Sequence, residues 1–202
     1  MVFIVNLTKP VILASGSPRR KELLALAGFN FTVRPANGEE VTTKTLPYDI
    51  VCELAHQKAF EIAKAQTAPC YVIGADTIVA FENRILGKPK DSADAVRMVS
   101  MLQGSTHQVY TGVTLIEVCT DGSLREKSFY EETNVHVCQM TKDEIASYVA
   151  TGEPLDKAGA YGIQGTFSIY VSGIEGDYFN VVGLPISRFY HEFASFQNAA
   201  HK

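Results

Sequence analysis

No Cys-x-x-Cys pair occurs anywhere in the 202 residues, and the four cysteines, Cys52, Cys70, Cys119 and Cys138, lie far apart. The five histidines are equally dispersed, so the ligand spacing of a zinc finger and the dithiol of a redox motif are both missing. The cysteines are expected to be reduced structural thiols. Cys52 and His56 share a helix face at i,i+4, but no third ligand accompanies them. A basic surplus is lacking too: 18 Lys and Arg stand against 22 Asp and Glu, for a net charge of -4. That balance argues against a polyanion binder, and no nucleic-acid polymer is expected as a partner. Long apolar runs are also absent. Val2-Phe3-Ile4-Val5 has no basic residue before it, and Lys9-Pro10 interrupts the run far short of a span. The expectation is a cytoplasmic chain with no membrane partner, in which the sequon Asn6-Leu7-Thr8 has no role. There is no G-x-x-x-x-G-K-[ST], no G-x-G-x-x-G and no G-x-S-x-G, so P-loop, Rossmann and serine-hydrolase chemistries lose their main markers.

What is present is an ordinary globular composition, 46% apolar and 20% charged. A chain of this size buries about 70% of its unfolded surface, enough for a core without disulfide or metal staples. No repeat or long linker divides it, so residues 1–202 are taken as a single domain. Val11 to Ala14 is a short buried strand. Ser17 as N-cap, Pro18 in the first turn and Gly28 past the end punctuate a helix carrying Leu23, Leu24, Leu26 and Ala27. A second helix runs from about Tyr48 to Gln66, with Val51, Leu54, Ala55, Ala59 and Ile62 on one face. Tyr71 to Phe81 is a strand covered on both sides. Ser92 caps a helix to Leu102, and strands follow at Val109 to Val118 and about Glu126 to Gln139, parted by Asp121-Gly122. Thr141 and Glu144 form a capping box for a helix to about Ala150. A glycine-rich loop from Glu153 to Gly165, a strand around Phe167 to Val171 and a helix from Ile186 complete the reading. Helices alternating with buried strands predict an α/β fold, a layered mixed sheet flanked by helices.

Three features are out of place in such a fold. Arg19 and Arg20 occupy the first turn of a helix, where the dipole favours acids, at a cost of about 0.3–1 kcal/mol per charge that a bound anion would offset. Asp76 sits inside an apolar strand. An unpaired buried charge costs several kcal/mol, so this carboxylate needs a cation, a metal or an opening into a cleft. Function and a structural ion pair both remain open for it. Lys58 falls on the apolar face of the second helix, between Leu54 and Ile62, where its stem packs while the ammonium reaches a site. Lys64 lies on another face and is expected to be solvated. Lys88, in Leu86-Gly87-Lys88-Pro89, sits on a stiff turn suited to holding a phosphate. Four cations with nearby acids suit a phosphorylated small molecule and a divalent metal.

Leu13-Ala-Ser-Gly-Ser-Pro-Arg-Arg20, Ala55-His-Gln-Lys-Ala59, Ile73-Gly-Ala-Asp-Thr77, Leu86-Gly-Lys-Pro89 and Gly152-Glu-Pro-Leu-Asp-Lys-Ala-Gly-Ala-Tyr-Gly-Ile-Gln-Gly165 resemble, in this order and spacing, the motifs of the Maf (septum formation) family. The likeness extends through Glu175-Gly-Asp177 and Asn180-Val-Val-Gly-Leu-Pro185. It implies a nucleoside triphosphate pyrophosphatase with a fold similar to the inosine triphosphatases, a cleft between two lobes, a Mg²⁺ or Mn²⁺ cofactor and a homodimer. It assigns Ser15, Arg19, Arg20, Lys58 and Lys88 to phosphate binding and Asp76 to the proton-accepting or metal-binding role. The family's glutamate, usually in an Asp-Glu pair, falls in Pro35-Ala-Asn-Gly-Glu-Glu40. By spacing it is Glu40, with Glu39 as the alternative. Gly-Ala-Asp-Thr followed by Ala-Tyr-Gly-Ile-Gln-Gly resembles the subgroup acting on dTTP and UTP, with Arg19, Thr77 and Gln164 as its specificity determinants. A glutamine amide supplies a donor and an acceptor, which suits the acceptor, donor, acceptor edge of uracil or thymine. The rival expectation is a nucleotide-binding regulator of division or septum formation without turnover.

Overall fold

Ten consecutive residues from Pro10 to Arg19 contain both the most buried strand and the most heavily punctuated helix start, and the rest of the first unit is assembled on them. In the computed structural model, which describes residues 7–82 and 84–199, β1 is Val11–Leu13 and α1 is Pro18–Leu26. The Val2 to Val5 run and Asn6 lie outside the described residues. Three apolar side chains with none exposed put β1 in the middle of a sheet. It pairs in parallel with β2 (Thr32–Val33), Ile12 opposite Thr32, and with β3 (Cys70–Phe81), Leu13 opposite Ile73. The remaining strands are β4 (Arg84–Leu86), β5 (Thr106–Val118), β6 (Leu124–Val137) and β7 (Val171–Glu175). The order is β2-β1-β3-β5-β6-β7, with β4 also on β3. Both β3–β4 and β6–β7 are antiparallel, so the seven-stranded sheet is mixed, as expected. The helices are α2 (Pro47–Ala63), α3 (Ser92–Leu102), α4 (Lys142–Ala150), α5 (Tyr178–Val182) and α6 (Ile186–Asn198).

Local chemistry explains most element ends and corrects some. Ser17 caps α1 by accepting from the Arg20 N–H, and Gly28 follows the helix at φ 80°. Thr141 and Glu144 make the expected reciprocal box. The cap of α3 is Asp91, not Ser92: its carboxylate accepts from the Asp94 N–H at 2.8 Å, and a carboxylate at that position also satisfies the helix dipole. The second helix ends at Ala63 rather than Gln66, where two turn bonds, Ala65 to Ile62 and Gln66 to Ala63, replace the helical ladder. The stretch expected as a strand from Phe167 is a 3₁₀ segment, Thr166–Tyr170, and the strand begins only at Val171. Phe167 is wholly buried there, so its apolarity reported a core anchor and not a strand period.

The chain forms two compact units: Met1–Asp76 with Thr111–Glu131 and Gly183–Lys202, and Thr77–Tyr110 with Glu132–Val182. In the first, Ile12, Ala14, Ala59, Ala63, Cys70, Val72, Ile116 and Val118 make one apolar cluster between sheet and α2. Tyr71 and Phe29 meet Phe193 of α6 at ring separations of 5.1 and 5.0 Å. Glu117 on β5, only 2% exposed, accepts from Lys9 at 2.5 Å and from Arg125, whose guanidinium lies 4.0 Å above the Phe196 ring. Burial pushes its carboxyl up, but the hydrogen bonds from Lys9 and Arg125 outweigh it and hold the carboxyl below the usual range. The stability Glu117 contributes is therefore complete above the unfolded carboxylate pKa and is lost as pH falls through the lower folded one. In the second unit α3 packs on α4, and Tyr161 bonds the buried His107 Nε2 at 2.7 Å. Burial drives His107 down to about 4, so it is neutral at pH 7.

Two glycines let α2 lie on the sheet. A Cβ on Gly74 of β3 would stand 2.2 Å from the Ala55 carbonyl oxygen and 2.8 Å from the Ala59 nitrogen. On β5, a Cβ at Gly112 would stand 2.4 Å from the Val51 carbonyl oxygen. Neither obstacle is a side-chain tip that can swing aside; both are helix backbone. We expect Gly74→Ala to cost about 2 to 4 kcal/mol, a fall of roughly 5 to 15 °C in melting temperature for a chain of this size. Gly87→Ala, where a Cβ meets nothing within 4 Å, is the control and stays within about 0.5 kcal/mol of wild type. An unchanged melting temperature for Gly74→Ala would show that α2 is not seated on bare strand backbone.

Candidate active site

Side chains alternate along a strand, so Gly74 and Asp76 face the same way, and the helix that Gly74 admits also carries the partner of Asp76. Lys58 lies one position before Ala59, and its ammonium reaches Asp76 Oδ1 at 2.6 Å. Both side chains are largely covered, at 15% and 12% exposure. The apolar surroundings that make Asp76 anomalous in the sequence thus receive a cation from α2. The same ammonium lies 3.0 Å from Glu40 Oε1, whose side chain is half exposed. Lys58 therefore stands between two carboxylates, one from a strand and one from the long segment before α2. Glu39 is exposed.

The start of α1 adds the second half of this cluster. Ser15, 7% exposed, accepts at its Oγ from the Ser17 N–H and from Arg20 Nη1, both at 3.3 Å. Arg20 Nε donates to the Gly183 carbonyl at 3.0 Å. Desolvation draws the Arg20 guanidinium below its ordinary value, with the charges of Asp76 and Glu40 working against that and Arg19 adding to it. These are the electrostatics of a shared site, and guanidinium remains charged at any working pH. The first turn of α1 holds no acid, so its N-terminal dipole and both arginines make one positive corner. Ser15, Arg19, Arg20, Glu40, Lys58 and Asp76 all belong to the first unit.

Thr77, Lys88 and Gln164 belong to the second unit. Lys88 and Gln164 are exposed, on two loops that are tied together where Gly159 N donates to the Gly87 carbonyl at 3.0 Å. Gly159, at φ 67°, lets the loop press on Val79 of β3, whose methyls would be 3.0 Å from a Cβ. Gln164 lies in the turn closed by Gly165 N to the Gly162 carbonyl. Glu153 secures that turn: its Oε2 accepts from the Thr166 N–H at 2.8 Å and hydroxyl at 2.7 Å, and a Cβ on Gly165 would collide with the carboxylate at 2.0 Å. Lys157 pairs with Asp156 at 2.7 Å and donates to the Glu153 carbonyl at 2.8 Å. Both contacts shape the loop. Glu153 itself carried no signal beyond its place beside Gly152.

Among the described residues no group of three or more His, Cys, Asp or Glu side chains is arranged to hold a metal ion. Cys52 and His56 make no such group, and His56 instead pairs with Glu126 at 2.8 Å. Asp76 and Glu40, already sharing one cation, fit the mode in which Mg²⁺ or Mn²⁺ takes one or two carboxylates and completes its shell with substrate oxygens and water.

Residues 10–196 match the family described as Maf-like protein. A dTTP/UTP pyrophosphatase of Agathobacter rectalis is 52% identical over 194 residues, covering 90% of this chain and 95% of that one. The protein of the same name from Lachnoclostridium phytofermentans is 51% identical over 186 residues, covering 92% of this chain and 94% of that one. Among solved structures, a HAM1 protein of Coxiella burnetii overlaps 76% of this chain and 86% of its own at 16% identity, with a TM-score of 0.43. No helix among the described residues is long and apolar enough to cross a membrane.

If Lys58 is the cation that makes Asp76 tolerable, Lys58→Met strands a buried carboxylate and costs about 2 to 4 kcal/mol. Adding Asp76→Asn then restores most of that stability, an interaction that a thermal double-mutant cycle reads directly. Additive losses would mean that the two side chains do not depend on each other.

Proposed function

The chain belongs to the Maf-like protein family, and from that premise we propose that it is a nucleoside triphosphate pyrophosphatase converting dTTP and UTP to the monophosphate and pyrophosphate. The observation that carries the reading is the Lys58 ammonium held between Asp76 and Glu40 beside the arginine-rich start of α1. It places cations for phosphate oxygens next to acids for a proton or a metal. Arg19, Arg20, Lys58 and Lys88 bind the triphosphate. Ser15 contributes a hydroxyl from the turn that leads into α1. Asp76 accepts the proton of the attacking water or holds the cation, with Glu40 sharing the second task. A divalent ion held there, Mg²⁺ or Mn²⁺, would neutralise the departing pyrophosphate. Thr77 and Gln164 read the pyrimidine, together with Arg19. The working form in this reading is a homodimer, as the family resemblance implies, acting in the cytoplasm.

The missing thymine methyl is worth only about 1 to 3 kcal/mol in an apolar pocket, so UTP is turned over alongside dTTP. A glutamine suits the edge of either base because it both donates and accepts. Gln164→Glu removes the donor and sets a carboxylate against carbonyl oxygens, costing on the order of 2 to 4 kcal/mol in transition-state binding.

Incubating the wild type with each nucleoside triphosphate and Mg²⁺, and resolving monophosphate from pyrophosphate, tests both claims. We expect turnover of dTTP and UTP. For Gln164→Glu we expect a fall of roughly 30-fold to 1000-fold on these two, with CTP losing less because its exocyclic amine donates to the new carboxylate. No monophosphate from any nucleotide would favour the non-catalytic regulator. An equal loss on all nucleotides, with a lower melting temperature, would assign Gln164 to the loop alone.

A further inference from the structure

Glu40 arrives at Lys58 on a segment with no regular structure of its own. From Arg34 to Leu46 the chain forms neither helix nor strand, and residues 37–46 are all exposed. A half-exposed ion pair with Lys58 does not order so long a stretch. Something else must hold it, and the structure shows three side chains doing so from one face of α2.

We propose that Glu53, Gln57 and Glu61, spaced four residues apart along α2, are positioning residues that fasten the 37–42 segment to the helix and so set Glu40 at the Lys58 ammonium. Glu61 accepts from two successive backbone N–H groups, Asn37 at 3.0 Å and Gly38 at 2.9 Å, one on each oxygen. Gly38 is needed for this grip, since a Cβ there would lie 2.7 Å from the carboxylate. Gln57 uses both ends of its amide on one residue: Oε1 accepts from the Val41 N–H at 3.2 Å and Nε2 donates to the Val41 carbonyl. Glu53 Oε2 accepts from the Thr42 hydroxyl at 2.5 Å. Glu40 lies between the Gly38 and Val41 attachments, pinned on both sides. These contacts recur with the helix period, so each turn of α2 holds the next stretch of chain. The two backbone bonds also hold the Glu61 carboxyl below its usual range, as fixed donors aimed at a carboxylate do. Lys58 belongs to the same helix, so one rigid element fixes both the ammonium and the segment that brings Glu40 to it.

The consequence for catalysis rests on the pyrophosphatase reading; the placement of Glu40 does not. The test compares wild type with Gln57→Ala/Glu61→Ala, two positions away from the core, and with Glu61→Gln, which keeps one acceptor. The first readout is amide hydrogen exchange without nucleotide: Asn37, Gly38 and Val41 should exchange about 10-fold or more faster in the double variant while the α2 amides do not change. The second is the ¹³C shift of the Glu40 carboxyl. Lys58→Met should move it in the wild type and leave it unmoved in the double-variant background. The third is kcat/KM on dTTP, expected to fall on the order of 10-fold to 100-fold in the double variant and to recover in part in Glu61→Gln, at an unchanged melting temperature. Exchange that does not accelerate, or a Glu40 shift that still responds to Lys58 in the double variant, would overturn the proposal. Should the first two readouts behave as expected in a protein that does not hydrolyse dTTP, the positioning role stands and the pyrophosphatase reading falls.

Discussion

A carboxylate in an apolar strand cannot stay there alone, and the pairing of Asp76 with Lys58 is the constraint that organises the first unit. The pair needs α2 close enough for a lysine stem to reach β3, and closeness is a matter of what β3 and β5 lack at Gly74 and Gly112. Once the helix is seated, its Ala59 and Ala63 complete the apolar cluster, with small side chains that keep the separation short. The lysine then emerges at the edge of that cluster, buried along its stem and charged at its tip. Packing and electrostatics are here one arrangement: the bare strand backbone that brings the helix down also brings the cation to the acid.

The remainder of the cluster exploits the electrostatics of a helix start. The N-terminus of α1 presents a positive dipole end, and Arg19 and Arg20 there strengthen a field that is unfavourable to the protein alone and favourable to a polyanion. Desolvation of Arg20 deepens that imbalance. The second unit relies on glycines in a different way. At Gly159 and Gly165 the absent side chains let the loop carrying Gln164 close on Val79 and on the Glu153 carboxylate, which gives an exposed glutamine a fixed backbone.

Much of this was legible in the sequence because the signals were local. Ser17, Pro18 and Gly28 bracket α1 by rules acting within a few residues, and the Thr141 and Glu144 box is likewise self-contained. Lys58 and Asp76 were visible as violations of their elements' patterns. What the sequence hid depends on contacts across the chain. Gly74 and Gly112 look like ordinary strand glycines until a helix is laid on them. Phe167 is apolar because it anchors the core, and in the sequence that signal is the same as the start of a strand. Asp91 and Ser92 are both good caps, and only backbone geometry chooses between them. The residues that fasten the Glu40 segment had a readable spacing of four, but charged and amide side chains at that spacing are usually a solvated helix face, and nothing in the sequence says that a loop lies over them.

In the proposed reaction, water attacks the α-phosphorus of a pyrimidine nucleoside triphosphate at the cluster around Lys58, with pyrophosphate as the leaving group. Turnover of dTTP in ¹⁸O-enriched water reports the broken bond directly. The expected result is a single ¹⁸O atom in the thymidine monophosphate and none in the pyrophosphate. Label in the pyrophosphate, or release of inorganic phosphate with a nucleoside diphosphate, would contradict it.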